Sequence, residues 1–206
     1  MALLTAALSA PLAAAPADLD RSIAYRHLLR NSAGIKTLVA DIDVETHMKS
    51  FPPVSLHFHG HTYFRAPDHD AVVFDNVPGP LKRMMADSPS IAPVRIWPDV
   101  YDITVLEDDG TETTFHLVPK DPTASLDHVD VVVGDETGLV REYRFANKNG
   151  ATTTTDNVYT RIGSHEFVSS QTGTAGGHGY HADIETHFSN YEINVDVPDD
   201  VFTPAP

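Results

Sequence analysis

Alternation constrains this chain more than any other feature. Residues 55–67 read SLHFHGHTYFRAP. Leu56, Phe58, Gly60, Thr62 and Phe64 fall on even positions; His57, His59, His61, Tyr63 and Arg65 fall on odd ones. Side chains on a strand point alternately to opposite faces, so the segment carries one apolar face and one polar, His-rich face. The same period recurs along the chain. Leu38, Ala40, Ile42, Val44 and Thr46 oppose Asp41, Asp43 and Glu45. Further rows are Tyr101, Ile103 and Val105; Thr111, Thr113, Phe115 and Leu117; Val129, Val131 and Val133; Tyr143 and Phe145; Tyr180, Ala182, Ile184, Thr186 and Phe188; and Ile193, Val195 and Val197. Residues 70–75 read as one more short strand, and the Thr-rich stretch 152–162 suits a strand as well. Turn signals separate the rows at 108–110 (Asp-Asp-Gly), 134–138 and 147–150. Residues 169–179, rich in Gly, Ser and Thr, read as a flexible loop. Short strands with turns between them predict one large antiparallel sheet, and a sheet this wide curls.

Two stretches break the pattern. In residues 18–34, Leu19, Ile23, Leu28 and Leu29 have helical spacing, with Asp18 or Asp20 as cap and 31–34 (Asn-Ser-Ala-Gly) as stop. Residues 76–98 read NVPGPLKRMMADSPSIAPVRIWP. The stretch is too proline-laden for an inner strand and too apolar for a free linker, with one possible helical turn at 81–85. It is either a flap over an opening or a crossover that closes the core.

Two small helical pieces cannot fill the inside of a wide curled sheet. The bulky inner candidates Phe58, Phe64, Phe115, Tyr143, Tyr180 and Phe188 are few, aromatics being 8% of the chain. An apolar hollow is therefore expected. Its candidate lining is Leu56, Phe58, Phe64, Ile103, Val105, Phe115, Leu117, Tyr143, Ile184 and Phe188. Met84, Met85 and Trp97 are candidate lid residues. Arg65, Arg95 and Lys120, near strand ends, are candidates for meeting an anionic head group.

Composition bounds the rest. With 206 residues, 41% of them hydrophobic, the chain has material for one real core. Its formal net charge of -15 argues against a polyphosphate partner, so no nucleic acid is expected. The absence of cysteine excludes disulfides, thiolate catalysis and thiolate metal sites. Residues 1–17 are small and apolar and end in Ala15-Pro16-Ala17, the small-x-small pattern of signal-peptide cleavage, although no Lys or Arg precedes the apolar run. A signal peptide or its remnant at 1–17, a single domain at 18–206 and a periplasmic or secreted location are the expectations.

Chemistry has little support. Ser164-His165-Glu166 resembles a triad only as text, because neighbouring strand residues face opposite ways. There is no nucleophile elbow, phosphate-cradling loop or His-Glu-x-x-His motif. No enzyme activity and no cofactor are expected. The alternative is a metal on His57, His59 and His61. Same-face neighbours lie about 6.6 Å apart, so three in a line cannot converge on one zinc without a bend or help from His69, or from His178, His181 and His187. Asp183 and Glu185 share parity with His181 and His187; a surface site becomes feasible if that strand lies beside 55–67.

The layout resembles the LolA/LolB superfamily of periplasmic outer-membrane lipoprotein-sorting proteins. The likeness runs through the helix RSIAYRHLLR, the strand IKTLVADIDVET, the strand LHFHGHTYFRAPD, the pair TTFHLVPKD and LDHVDVVVGDETGLVREYRF, and the tail FSNYEINVDVPDDVF. Only the 76–98 insert and the histidine content depart from it. The resemblance implies a mainly β (α+β) fold: a large curled antiparallel sheet forming an unclosed half-barrel, covered on its concave side by the N-terminal helix and the Pro-rich insert. It also implies a ligand class, the acyl chain of a lipid or lipoprotein, bound without catalysis by a monomer that has envelope proteins as possible partners. The alternative reading is a His-based metal-binding, or envelope-sensor or partner-binding, domain.

Overall fold

The computed structural model describes residues 18–49, 52–75, 77, 91–177 and 179–202. The expectations for 1–17, for the turn at 81–85 with Met84 and Met85, and for His178 lie outside the described residues.

Ten strands form one antiparallel sheet: β1 (Thr37–Met48), β2 (Val54–Arg65), β3 (His69–Phe74), β4 (Tyr101–Asp108), β5 (Glu112–Pro119), β6 (Leu126–Gly134), β7 (Val140–Asn147), β8 (Thr152–Ile162), β9 (His165–Gly177) and β10 (Tyr180–Ile193). Their order across the sheet is β3-β2-β1-β10-β9-β8-β7-β6-β5-β4. Every neighbour is a hairpin partner except β10, which returns to pair with β1, Ile42 opposite Phe188. β3 and β4 do not pair, so the curled sheet stays open along one seam. The described residues 91–100 of the connection, here termed the crossing segment, lead into β4.

One departure from the sequence reading is β9. The stretch read as a Gly/Ser/Thr loop is a 13-residue strand. It hides from periodicity because its inner positions are small. A Cβ on Gly173 would sit 2.2 Å from the Thr154 carbonyl oxygen, so the backbones approach where no side chain fits.

The helix α1 (Ile23–Asn31) forms where expected, with a different cap. Ser22 Oγ accepts from the Tyr25 amide at 3.2 Å, while Asp18 pairs with Arg21 instead. Its buried face is Ala24 and Tyr25; Ile23 is 53% exposed. Short turns at Val94–Ile96 (3-10) and α2 (Trp97–Val100) lead into β4. Together with α1 they cover the inner face of β4–β7, in a core that includes Ala24, Tyr25, Val94, Trp97, Phe115, Leu117, Val129, Val131 and Val133. A second, smaller cluster of Ile42, Val44, Phe58 and Val77 occupies the inner face near the other edge, with Leu56, Phe74, Ile184 and Phe188 against it.

Candidate functional site

Beside the larger of these two apolar clusters lies a half-open hollow of about 360 Å³. Its walls come from every covering piece. Leu28 and Ser32 of α1, Ile35, Phe64 of β2, Ala66 and Pro67, Asp70 of β3, residues 91–95 and Trp97 of the crossing segment, and Val140 and Tyr143 of β7 surround it. Local chemistry fixes each wall. Trp97 Nε1 donates to the Ala92 carbonyl at 2.7 Å, and the Tyr101 hydroxyl accepts from the Ala92 amide at 3.2 Å, so both backbone groups of Ala92 are held. Tyr25 donates its hydroxyl to the Val94 carbonyl at 3.3 Å, tying α1 to the same segment. Gly138 has φ 63°, and a Cβ there would lie 2.4 Å from His27 backbone, so α1 sits directly on the β6–β7 turn. His27 Nδ1 lies 2.7 Å from the Asp135 carbonyl, and Asn31 Nδ2 donates to the Thr137 and Gly138 carbonyls.

The lining is largely aliphatic and aromatic. Burial pushes the Tyr143 hydroxyl well above the ordinary tyrosine range, with the neighbouring Tyr159 adding to the shift. Partial removal from water also raises the Asp70 carboxyl. The Tyr143 shift marks a low-dielectric wall of the hollow, whereas Asp70 stands at its exposed rim.

Of the residues singled out from sequence, Phe64, Tyr143, Trp97 and Arg95 meet at this hollow. Phe115 and Leu117 are fully buried beneath α1 and Trp97, with Ile103 and Val105 packed against the same core. Leu56, Phe58, Ile184 and Phe188 lie in the second cluster. Tyr180, read as an inner aromatic, is 44% exposed at the start of β10 and does not fill the interior. Arg65 forms an ion pair with Asp199 and stacks over the Phe202 ring, while Lys120 Nζ donates to the Pro98 carbonyl at 2.6 Å. Arg95 donates to the Ser32 carbonyl at 3.3 Å, at the rim between α1 and the crossing segment. Periodicity missed Ile35, Ala66, Pro67 and the 91–94 stretch because they lie outside strands; Asp70 and Val140 are strand residues that no apolar row singled out.

The histidine face is the outer one. His57, His59 and His61 stand opposite Glu45, Asp43 and Asp41 of β1. His59 Nδ1 is 2.9 Å from Asp43 Oδ1, and His61 Nδ1 is 2.9 Å from Asp41 Oδ1. The second polar row, Asp183, Glu185 and His187, is on β10, which lies beyond β1 rather than beside β2. Carboxylates of β1 therefore separate the two histidine sets, and the strand adjacency that a shared metal site needed is absent.

No family model and no curated protein matches the chain in sequence. Solved structures do match its fold. A putative outer membrane lipoprotein-sorting protein domain from Vibrio parahaemolyticus is similar with TM-score 0.62 at 12% identity, over 90% of this chain and 97% of that one. A DUF1329 family protein from Desulfovibrio piger matches with TM-score 0.62 at 13% identity, over 87% and 95%. A LolA superfamily protein from Nitrosomonas europaea matches with TM-score 0.53 at 12% identity, over 88% and 96%. The resemblance read from the sequence is borne out at the level of fold.

Proposed function

We propose, from the premise of a LolA-like half-barrel, that this protein binds a single acyl chain of a lipid or lipoprotein in the cell envelope and carries or senses it without catalysis. The observation that carries this reading is the apolar hollow between α1, the crossing segment and the sheet. Its 360 Å³ falls at the lower end of small-molecule sites, roughly 300–1,000 Å³. At about 30 Å³ per methylene-sized unit it accepts on the order of a dozen carbons. Each buried methylene is worth about 0.8 kcal/mol, so such a chain gains roughly 10 kcal/mol before ordering costs. A larger lipid would leave its head group at the rim near Arg95 and Asp70.

The names of the Vibrio and Nitrosomonas structures place lipoprotein sorting and the LolA superfamily beside this fold and so support an envelope setting. Among the described residues no helix is long and apolar enough to cross a membrane. We assign residues 18–206 to one domain, with 1–17 as a signal peptide or its remnant, and the unit acts as a monomer that meets envelope proteins.

Native mass spectrometry after gentle purification tests the reading, with a fluorescent fatty acid as probe. Trp97 is the single tryptophan and lines the hollow, so its emission should change as the probe enters. Ala92→Phe, which places a ring in the hollow, should weaken uptake at least tenfold with an unchanged unfolding midpoint. Protein that releases no lipid and leaves the probe unbound would refute it.

A further inference from the structure

On the outer face, away from the hollow, β5 and β6 bring three ligand-type side chains together. His116 and Asp130 are cross-strand partners, and His128 shares the outer face two residues before Asp130. Same-face neighbours on a strand are ordinarily about 6.6 Å apart. Here a register shift in the β6–β7 pairing falls between Leu126 and His128, where a strand can re-aim a side chain. The result is convergence: one donor atom from each of His116, His128 and Asp130 lies within 4.8 Å of the other two. His116 Nδ1 is 2.6 Å from Asp130 Oδ1, and the two imidazole centroids are 4.8 Å apart.

A second observation concerns orientation. His128 Nδ1 lies 2.9 Å from Asp127 Oδ2. A carboxylate on one ring nitrogen fixes the tautomer and presents the other nitrogen as a free donor, the arrangement found behind metal-ligating histidines. The side chains of His116, Asp130 and His128 are 26%, 18% and 33% exposed, so the cluster is half-buried yet reachable. The neighbouring cation is already engaged. Arg144, opposite Asp130 on β7, forks onto Glu142 at 2.5 and 2.9 Å.

We infer that His116, His128 and Asp130 bind a first-row divalent cation, with zinc the best match. Two imidazoles and a carboxylate suit zinc, with water in the fourth position. Ligands at about 2.0–2.2 Å from a tetrahedral ion are about 3.3 Å apart. The His116–Asp130 contact opens by less than about 1 Å, the bound ion replacing the shared proton, and the widest separation closes by at most about 1.5 Å. Side-chain rotation supplies both movements. The His57–His59–His61 row has one more histidine but faces a carboxylate at each step instead of converging, so it serves as the internal control.

The experiment uses untagged, metal-free full-length protein titrated with cobalt(II), followed by visible absorption, and with zinc by calorimetry. One equivalent of cobalt should bind with the strong absorption of a low-coordinate site and be displaced by zinc. His116→Ala should abolish it. Asp127→Asn should weaken it about tenfold, the usual effect of losing a carboxylate behind a ligating histidine. The His57→Ala, His59→Ala, His61→Ala triple variant should bind as the parent does. Far-UV circular dichroism accompanies each variant, and His116→Asn replaces His116→Ala if the latter unfolds. Undiminished binding by a folded His116 variant, no binding by the parent, or loss in the triple variant would overturn the site.

Discussion

Trp97 does three jobs with one side chain. It is 2% exposed, it donates to the Ala92 carbonyl, and its ring meets Tyr25 and Phe115 at centroid distances of 6.3 and 6.4 Å. Removing it opens a large void and frees a buried carbonyl. Trp97→Ala should cost about 3–5 kcal/mol in urea unfolding, and a cost near zero would show that the crossing segment does not need this anchor. Asp70 acts in the opposite sense. Its surface is exposed at the rim, but partial desolvation raises its folded pKa, so the carboxylate is slightly disfavoured in the native state. The penalty is absent below the unfolded value, sets in as pH rises towards the folded value, and is complete above it. Asp70→Asn should therefore raise the urea midpoint at pH 7 and leave it unchanged near pH 3; a lowered midpoint at pH 7 would contradict this.

At the scale of elements, α1 depends on a contact that belongs to a different part of the chain. The Gly138 turn, the His27 and Asn31 hydrogen bonds and the Tyr25 hydroxyl lock it over the β6–β7 end of the sheet. Gly138→Ala adds left-handed backbone strain and a methyl against the helix. It should cost about 2–3 kcal/mol, and faster amide exchange should appear in α1 before the strands. Legibility also divides by element. β2 was readable because large apolar and polar residues alternate along it. β9 was not, because Gly173 must be small where the Thr154 carbonyl approaches, which leaves no apolar row. The hollow was readable only where strands supply its walls, at Phe64 and Tyr143. Ala66 and Pro67 follow no period; the 91–94 stretch follows none either, and only the apolar, proline-laden character of 76–98 pointed it to a covering role. The metal cluster was equally hidden: His116 and His128 are twelve residues apart, and only the β5–β6 register makes them neighbours.

Over the whole molecule, charge decides the pH response. A net charge of -15 makes the compact state self-repelling, and added salt should stabilise it. On the outer face His59 is held above its ordinary 6.5, chiefly by its hydrogen bond to Asp43, with the charges of Asp43, Asp75 and Asp41 adding to it. That contribution is complete below 6.5 and disappears as pH rises through the folded value. Carboxylates work the other way. Asp41 is lowered first by Asn190, Asp183 by Lys49 and Asp199 by Arg65, and Asp109 is held at about 2 by the Thr111 hydroxyl and nearby amides. Their stabilisation is present above the ordinary carboxylate range and fades as pH falls through the lowered values. The urea midpoint should thus be highest at mildly acidic pH and decline above neutrality, and Asp43→Asn should flatten the alkaline limb. A midpoint that climbs steadily to pH 9 would rule this out.

The pairing of β10 with β1 makes the strand order a rotated simple meander, with the 75–100 connection as its one long return. Circular permutation follows from that. A chain that starts at β4, runs to β10, passes through a Gly/Ser linker from Phe202 to Asp18 and finishes at β3 keeps every strand beside its sequence neighbour. Its pairings become almost wholly local, which favours faster folding. The same cut unties residues 91–100, which wall the hollow and bring Val94 and Trp97 to the core, so the permutant should form its sheet quickly yet lose both core packing and the grip on a guest.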